Sequence, residues 1–208
     1  MPNIISDIAG NFDALMRLLA KMPDDGVISL GDMLDRGPAS KSVIDWFKSN
    51  GRAVMGNHEH MMLNHCRKTG FYEIGMWERN GGYAALASFG GTVSEDVLNW
   101  VAHLPLYMEI EGCLISHSFV SPGHALRDVC NLGRSYSDIN CEQSIIWCRD
   151  SPRRIKKYKM QIAGHNSHFG LRRFSDSRGD FAMCLDDSKL ERLTGIHLPS
   201  FEIYQVDH

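Results

Sequence analysis

The sequence predicts an α/β protein built around a parallel sheet, and three observations carry that prediction. Short apolar runs at Asn3-Ile4-Ile5, Val27-Ile28-Ser29-Leu30 and Arg52-Ala53-Val54-Met55 alternate with stretches of helical periodicity. Strand, helix, strand, helix, strand implies right-handed crossovers between parallel neighbours. Each run ends in a polar loop, and Asp7, Asp32 and Asn57 fall in those loops at intervals of about 25 residues, the length of one helix–strand unit. In such sheets the ligand site lies beyond the carboxyl ends of the strands, so the three loops can converge on one point.

The elements follow in order. Asn11 reads as the N-cap of a helix whose apolar face is Phe12, Leu15, Met16, Leu18 and Leu19. Pro23-Asp24-Asp25-Gly26 is a turn. The second strand delivers Gly31-Asp32-Met33-Leu34-Asp35-Arg36-Gly37, two acids and an arginine between glycines. Pro38 suits a first helical turn, Val43, Ile44, Trp46 and Phe47 give that helix its apolar face, and Asn50-Gly51 ends it. The third strand delivers Gly56-Asn57-His58-Glu59, and the chain from Glu59 to His103 reads mainly helical, with Ser94 as a cap. Leu106 to Ile110 and Cys113 to Ser116 form a hairpin around Glu111-Gly112, and the second of these strands delivers His117. Ser118 to Tyr136 is loop-rich, a candidate lid. Gln143 to Trp147 leads to Cys148-Arg149, and Met160 to Ala163 is a strand ending in Gly164-His165-Asn166. Phe181 to Leu185 and Phe201 to Val206 are expected to complete a second sheet.

Composition bounds the function. The chain of 208 residues fits a single domain over 1–208. A formal net charge of −3 does not suit a polyanion binder, so nucleic acid is not an expected partner. The basic cluster Arg153, Arg154, Lys156, Lys157 and Lys159 reads as a solvated face. No apolar run is long enough to span a bilayer, and no basic segment precedes Ile4-Ile5 as in a secretory leader. Six scattered cysteines without a C-x-x-C pair argue for reduced thiols and a cytoplasmic location, and against a structural zinc.

The strand-end residues are Asp7, Asp32, Asp35, Arg36, Asn57, His58, His117, Arg149 and His165. Carboxylate, amide oxygen and imidazole together suit first-row divalent ions such as Mn²⁺, Fe or Zn²⁺. Arginine forks suit phosphate, and two adjacent metals suit hydrolysis at phosphorus.

These motifs carry a resemblance to a known family. Ser6-Asp7-Ile8-Ala9-Gly10-Asn11 stands for G-D-x-H-G, Gly31 to Gly37 for G-D-x-x-D-R-G, and Gly56 to Glu59 for G-N-H-E, followed by Ser116-His117, Trp147-Cys148-Arg149 and Gly164-His165. Over nearly its whole length the chain resembles the phosphoprotein-phosphatase branch of the calcineurin-like metallophosphoesterases. That branch includes small bacterial and bacteriophage lambda-type Ser/Thr phosphatases, and its motifs are shared by symmetrical diadenosine-tetraphosphate hydrolases. The resemblance implies a two-sheet α/β/β/α sandwich and two divalent ions, Mn²⁺ foremost. It implies that Asp7 binds the first metal, that Asp32 bridges both, and that Asn57, His117 and His165 bind the second. It makes His58 the general acid, oriented by Asp35, and Arg36 and Arg149 the phosphate clamp; Arg149 rests on W-x-R alone.

One departure from the pattern matters. Ala9 stands where the family has a histidine ligand, so the first site is expected to be weak or empty. Because the other motif residues are present, Ala9 reads as an engineered replacement that quiets the enzyme; natural divergence is the alternative. The expected activity is therefore hydrolysis of phosphoserine or phosphothreonine, with phosphotyrosine as an extension, impaired by Ala9. Dinucleoside-polyphosphate hydrolysis and a non-catalytic phosphate-binding module are the alternatives, and the partner is a phosphoprotein or a phosphorylated small molecule. Phe119, Tyr136 and the 153–159 cluster are candidate contacts for a nucleotide. His60 and His65 are expected at the surface or behind the ligands, Trp77 in the core or along a substrate groove, and His168 at the pocket rim. The eleven methionines are expected to fill the core.

Overall fold

A computed structural model describes residues 1–69, 75–120, 122–131 and 144–208. Ten strands lie in two sheets. The first contains β1 (Asn3–Ile5), β2 (Val27–Ser29), β3 (Gly51–Ala53), β9 (Arg192–His197) and β10 (Glu202–Asp207), in the order β10-β9-β1-β2-β3. The second contains β4 (Tyr107–Ile110), β5 (Cys113–Ser116), β6 (Met160–Ala163), β7 (Arg172–Asp176) and β8 (Gly179–Cys184), in the order β4-β5-β6-β8-β7. As expected, β1, β2 and β3 run parallel. So do β5, β6 and β8.

Strand alternation explains the layers. Ile4 joins Ile28, Val54, Ile115, Ile162, Met183 and Ile196 in an apolar layer between the sheets. Its neighbour Ile5 faces the other way, against the helices α1 (Phe12–Leu19) and α2 (Ser40–Asn50) through Leu15, Leu18, Val43, Ile44 and Phe47. Likewise Leu114 leaves its strand on the opposite face to Cys113 and Ile115, and packs with Ile145, Ile146 and Tyr158. The result is the α/β/β/α sandwich.

The helix signals hold at atomic level. Asn11 Oδ1 accepts from the Ala14 N–H at 3.0 Å, and Ser94 Oγ accepts from the Val97 N–H at 3.4 Å at the start of α5 (Glu95–Ala102). Between them lie α3 (Asn57–Arg67), a helical turn (Glu78–Gly82) kinked at Gly81, and α4 (Tyr83–Ser88); α6 (Leu126–Asn131) follows β5. Pro38 lies ahead of α2 instead of inside it, because Ala39 is the cap and Ser40 Oγ is engaged by the Asp35 N–H. Many methionines, among them Met33, Met61, Met62 and Met183, do fill the core.

The C-terminal strand is not where the sequence suggests. β10 belongs to the first sheet, carried there by β9, which pairs antiparallel with β1 and sets Ile196 opposite Ile4. Neither β9 nor β7 is legible in the sequence. Gly195 interrupts β9, and only one of the five residues of β7 is apolar. No helix among the described residues is long and apolar enough to cross a membrane.

Ile28 is 1% exposed at the middle of the inter-sheet layer. Ile28→Ala should lower unfolding free energy by about 2–5 kcal/mol in denaturant titration, and a loss under about 1 kcal/mol would contradict this packing.

Candidate metal centre

The six parallel strands direct their carboxyl ends to one edge, and the loops there crowd together. A Cβ on Gly31, whose φ is +92°, would lie 2.5 Å from the Gly56 nitrogen, and one on Gly56 would lie 2.3 Å from Asp32 Oδ1. Glu59 ties the two loops: its carboxylate accepts from the N–H groups of Asp32 and Met33, both at 2.8 Å, and of Gly56 at 2.9 Å. Burial, then the Asp32 charge, pushes its carboxyl up to about 7, while these donors pull the other way. Among the described residues nine non-glycine residues have positive φ, and five of them, Ala9, Asp32, Asp35, Arg36 and His165, are in these loops. Left-handed backbone at side-chain-bearing residues concentrates where surrounding contacts over-determine it.

Four ligand-type groups converge. Ligand atoms of Asp32, His117 and His165 lie within 4.8 Å of one another, all buried. Asn57 Oδ1 lies 2.8 Å from His117 Nε2 and 2.9 Å from His165 Nδ1. The hydrogen-bond partners fix the tautomers. His117 Nδ1–H donates to the Leu30 carbonyl at 2.7 Å, and His165 Nε2–H donates to the Trp147 carbonyl at 3.2 Å. Burial pushes both imidazoles down, His165 to about 3 with the help of the His117 charge, so both are neutral. Their remaining lone pairs therefore face an amide oxygen and the Asp32 carboxylate, acceptor against acceptor. A divalent cation satisfies all four at once, and the donor set fits one.

Asp32 has a second side. Its Oδ1 lies 3.4 Å from His117 Nε2, while its Oδ2 lies 3.7 Å from His58 Nε2. Burial opposes its charge, but the facing imidazoles of His117, His58 and His165 hold it down at about 2. His58 Nδ1 donates to Asp35 Oδ2 at 2.6 Å. Asp35 is fully buried and also receives the Trp77 Nε1–H, shared between its oxygens at 2.9 and 2.8 Å. Burial opposes a charged His58, yet Asp32 and Asp35 raise its pKa. Arg36 Nη2 is 3.3 Å from His58 Nε2, and the Arg36 N–H donates to the Gly81 carbonyl of the kinked turn.

The first-metal side is different. Asp7 is buried, and its oxygens accept from the His165 N–H at 3.2 Å. Burial raises its carboxyl well above the usual range, and the charges of Asp186 and then Asp32 raise it further. Ala9 donates its N–H to the Asp32 carbonyl and accepts from the Gly37 N–H, which holds position 9 against the Asp32 loop with only a methyl to offer. Arg149 is exposed on the turn after Ile146, near enough to depress His165.

Three residues of this neighbourhood escape the sequence reading. Trp77 holds Asp35, a role signalled only by its place before Asn80-Gly81-Gly82. Glu59 is visible as a motif letter but not as a clamp. Asp186 follows β8 at the same edge, yet Asp186-Asp187 looks like an ordinary turn. His60 is not at the surface: it is 2% exposed because α3 is buried from Asn57 to Asn64. His65 pairs with Glu78 at 3.2 Å and packs on the Trp77 ring. Phe119 is buried, and Tyr136 lies outside the described residues.

Asp32→Ala removes the carboxylate that faces both halves of the cluster. Calorimetric titration with Mn²⁺ should show affinity lost by more than about 100-fold, beyond the 10–100-fold typical of an outer partner; retention of wild-type affinity would exclude Asp32 as a ligand.

Comparison with known proteins agrees with this geometry. The calcineurin-like phosphoesterase family matches residues 3–199. The symmetrical bis(5′-nucleosyl)-tetraphosphatase of Vibrio vulnificus is 27% identical over 90% of this chain and 74% of its own length. Serine/threonine-protein phosphatase 1 of Salmonella typhimurium is 29% identical over 51% of each chain. The chain thus spans from about two fifths to three quarters of the length of the curated relatives it matches. The cold-active protein-tyrosine phosphatase of a psychrophilic Shewanella shares the fold, with a TM-score of 0.65 and 17% identity over 95% of this chain and 75% of that one. The carboxyl-edge loops, the acceptor cluster and the match from residue 3 to residue 199 together place this chain in the calcineurin-like phosphoesterase family.

Proposed function

We propose that the chain is a metal-dependent phosphohydrolase with a two-metal centre, Mn²⁺ foremost. The observation that carries the reading is the Asp32 carboxylate, with one oxygen facing the acceptor cluster and the other facing His58. Asn57, His117 and His165 would hold one ion with Asp32, and Asp7 would hold the other. Bound divalent ions supply Lewis acidity, drawing charge from phosphoryl oxygens and making water a better nucleophile. Arg36 and Arg149 neutralise the remaining phosphate oxygens from two sides. As the water oxygen bonds to phosphorus it releases a proton to solvent, and the P–O bond to the leaving group breaks. His58 gives its Nε2 proton to that departing oxygen, a contribution of about 10²–10⁴ in rate. Asp35 stabilises the charged imidazole and holds its orientation, and the Trp77 N–H holds Asp35. Ala9 leaves the Asp7 side short of a ligand, so turnover is impaired.

Two substrate classes have support. The Salmonella relative favours phosphoserine and phosphothreonine esters, as the sequence suggests. The Vibrio relative, matching nine-tenths of this chain, favours a dinucleoside polyphosphate.

Ala9→His should raise Mn²⁺-dependent turnover by at least about tenfold on a phosphopeptide, an aryl phosphate or diadenosine tetraphosphate. No gain on any of the three would favour a phosphate-binding module over an enzyme. In the Ala9→His background, His58→Ala should cut turnover by about 10²–10⁴ with bound Mn²⁺ unchanged; a parallel loss of metal would contradict proton transfer by His58. Trp77→Phe removes the N–H and keeps a smaller aromatic ring. Its kcat should fall about tenfold on an alkyl phosphate, whose leaving group needs the proton, and little on an aryl phosphate. Equal losses on both would show that Trp77 is only structural.

A further inference from the structure

A cavity of about 230 Å³ opens beside the metal centre. It shares a wall with the cluster. Asn166 follows His165 and donates its amide to the Cys148 carbonyl at 3.2 Å, and Arg149 comes next. The charged lining is Arg149, His168, Arg172 and Lys189, against Asp150. His168 thus reaches the rim that the sequence suggested.

The charge here is uncompensated. Nearby basic residues are paired: Arg154 with Asp176 at 2.8 Å, Arg178 with the same acid at 3.1 Å, and Arg173 with Asp180 at 3.5 Å. Among the described residues no ion pair involves Arg149, Arg172 or Lys189. Aromatic faces hold two of them instead: the Arg172 guanidinium is 4.7 Å from the Phe174 centroid, and Lys189 Nζ is 5.3 Å from that of Phe169. Phe174 is itself braced edge-on by Phe119 at 5.4 Å. The loop carrying Lys189 is tied down too, since the Lys189 N–H donates to Ser167 Oγ at 3.0 Å. Burial lowers the His168 pKa, and the charges of Arg172 and Lys189 lower it further, as expected of cations aimed at one spot.

Arg149, Arg172 and Lys189 against the one carboxylate of Asp150 leave the lining positive, which suits a phosphate dianion better than a single carboxylate. The volume is below the roughly 300–1,000 Å³ of sites for drug-sized ligands, which suits a small anion such as a phosphate group. We propose that this cavity is a second anion subsite, formed by Arg172 and Lys189 beside Arg149, that holds the phosphate next to the one being hydrolysed. The proposal rests on the phosphohydrolase reading and makes the substrate a phosphoanhydride chain.

The test pairs binding with kinetics. Tripolyphosphate titrated calorimetrically into protein kept metal-free with a chelator should bind. The Arg172→Ala/Lys189→Ala variant, and the milder Arg172→Gln, should weaken it at least tenfold and threefold respectively. Unchanged affinity in both variants overturns the subsite. In the Ala9→His background, the ratio of KM for diadenosine tetraphosphate to KM for an aryl phosphate should rise at least tenfold in the double variant. An unchanged ratio overturns the proposal, as does a KM increase confined to a phosphopeptide flanked by acidic residues, which would make the second anion a carboxylate. Absence of turnover on every substrate would defeat the phosphohydrolase reading instead, and metal-free binding of tripolyphosphate still judges the cavity by itself.

Discussion

The site depends on one buried carboxylate that touches no substrate. Glu59, at the start of α3, collects three backbone N–H groups from two different strand-end loops. Charge-assisted bonds of this kind are short and strong, and leaving their donors unpaired in a buried place costs about 1–3 kcal/mol each. The clamp brings Asp32 against the first turn of α3, where the His58 N–H donates to Asp32 Oδ1 at 3.0 Å. Everything else at the edge is measured from that contact. It also lets Asp32, Asp35 and Arg36 keep backbone conformations that side-chain-bearing residues rarely adopt.

The heptad from Gly31 to Gly37 then divides its labour. Asp32 faces the acceptor cluster with one oxygen and His58 with the other. Asp35 points into the protein, toward His58 and Trp77, and Arg36 points out. The kinked turn after Trp77 serves both: the indole reaches Asp35, and the Gly81 carbonyl receives the Arg36 N–H. The helical path breaks at Gly81, whose φ of 112° favours glycine, and the kink aims two groups from one short segment.

How much of this could be read in the sequence depended on the range of the interaction. Helix caps at Asn11 and Ser94 were legible because a cap is settled within three residues. The convergence of Asp7, Asp32 and Asn57 was legible because parallel β-α-β units repeat with a fixed length. The placement of β10 was not, because it follows from pairing between chain ends, Ile4 beside Ile196. Trp77 and Asp35 are likewise brought together only by tertiary packing, and the unpaired state of Arg172 and Lys189 stands out only once Arg154, Arg173 and Arg178 are seen to be paired. Position 9 is an intermediate case. The motif exposes the alanine, but only the structure shows its backbone pinned against the Asp32 loop.

The account turns on a cation joining Asp32, Asn57, His117 and His165, with its neighbour on the Asp7 side under-ligated. Anomalous diffraction from crystals of this chain soaked in Mn²⁺ addresses it directly. The predicted result is a strong peak among those four residues and a weak or absent one beside Asp7. A strong peak only at Asp7, or none within reach of His117 and His165, would contradict it.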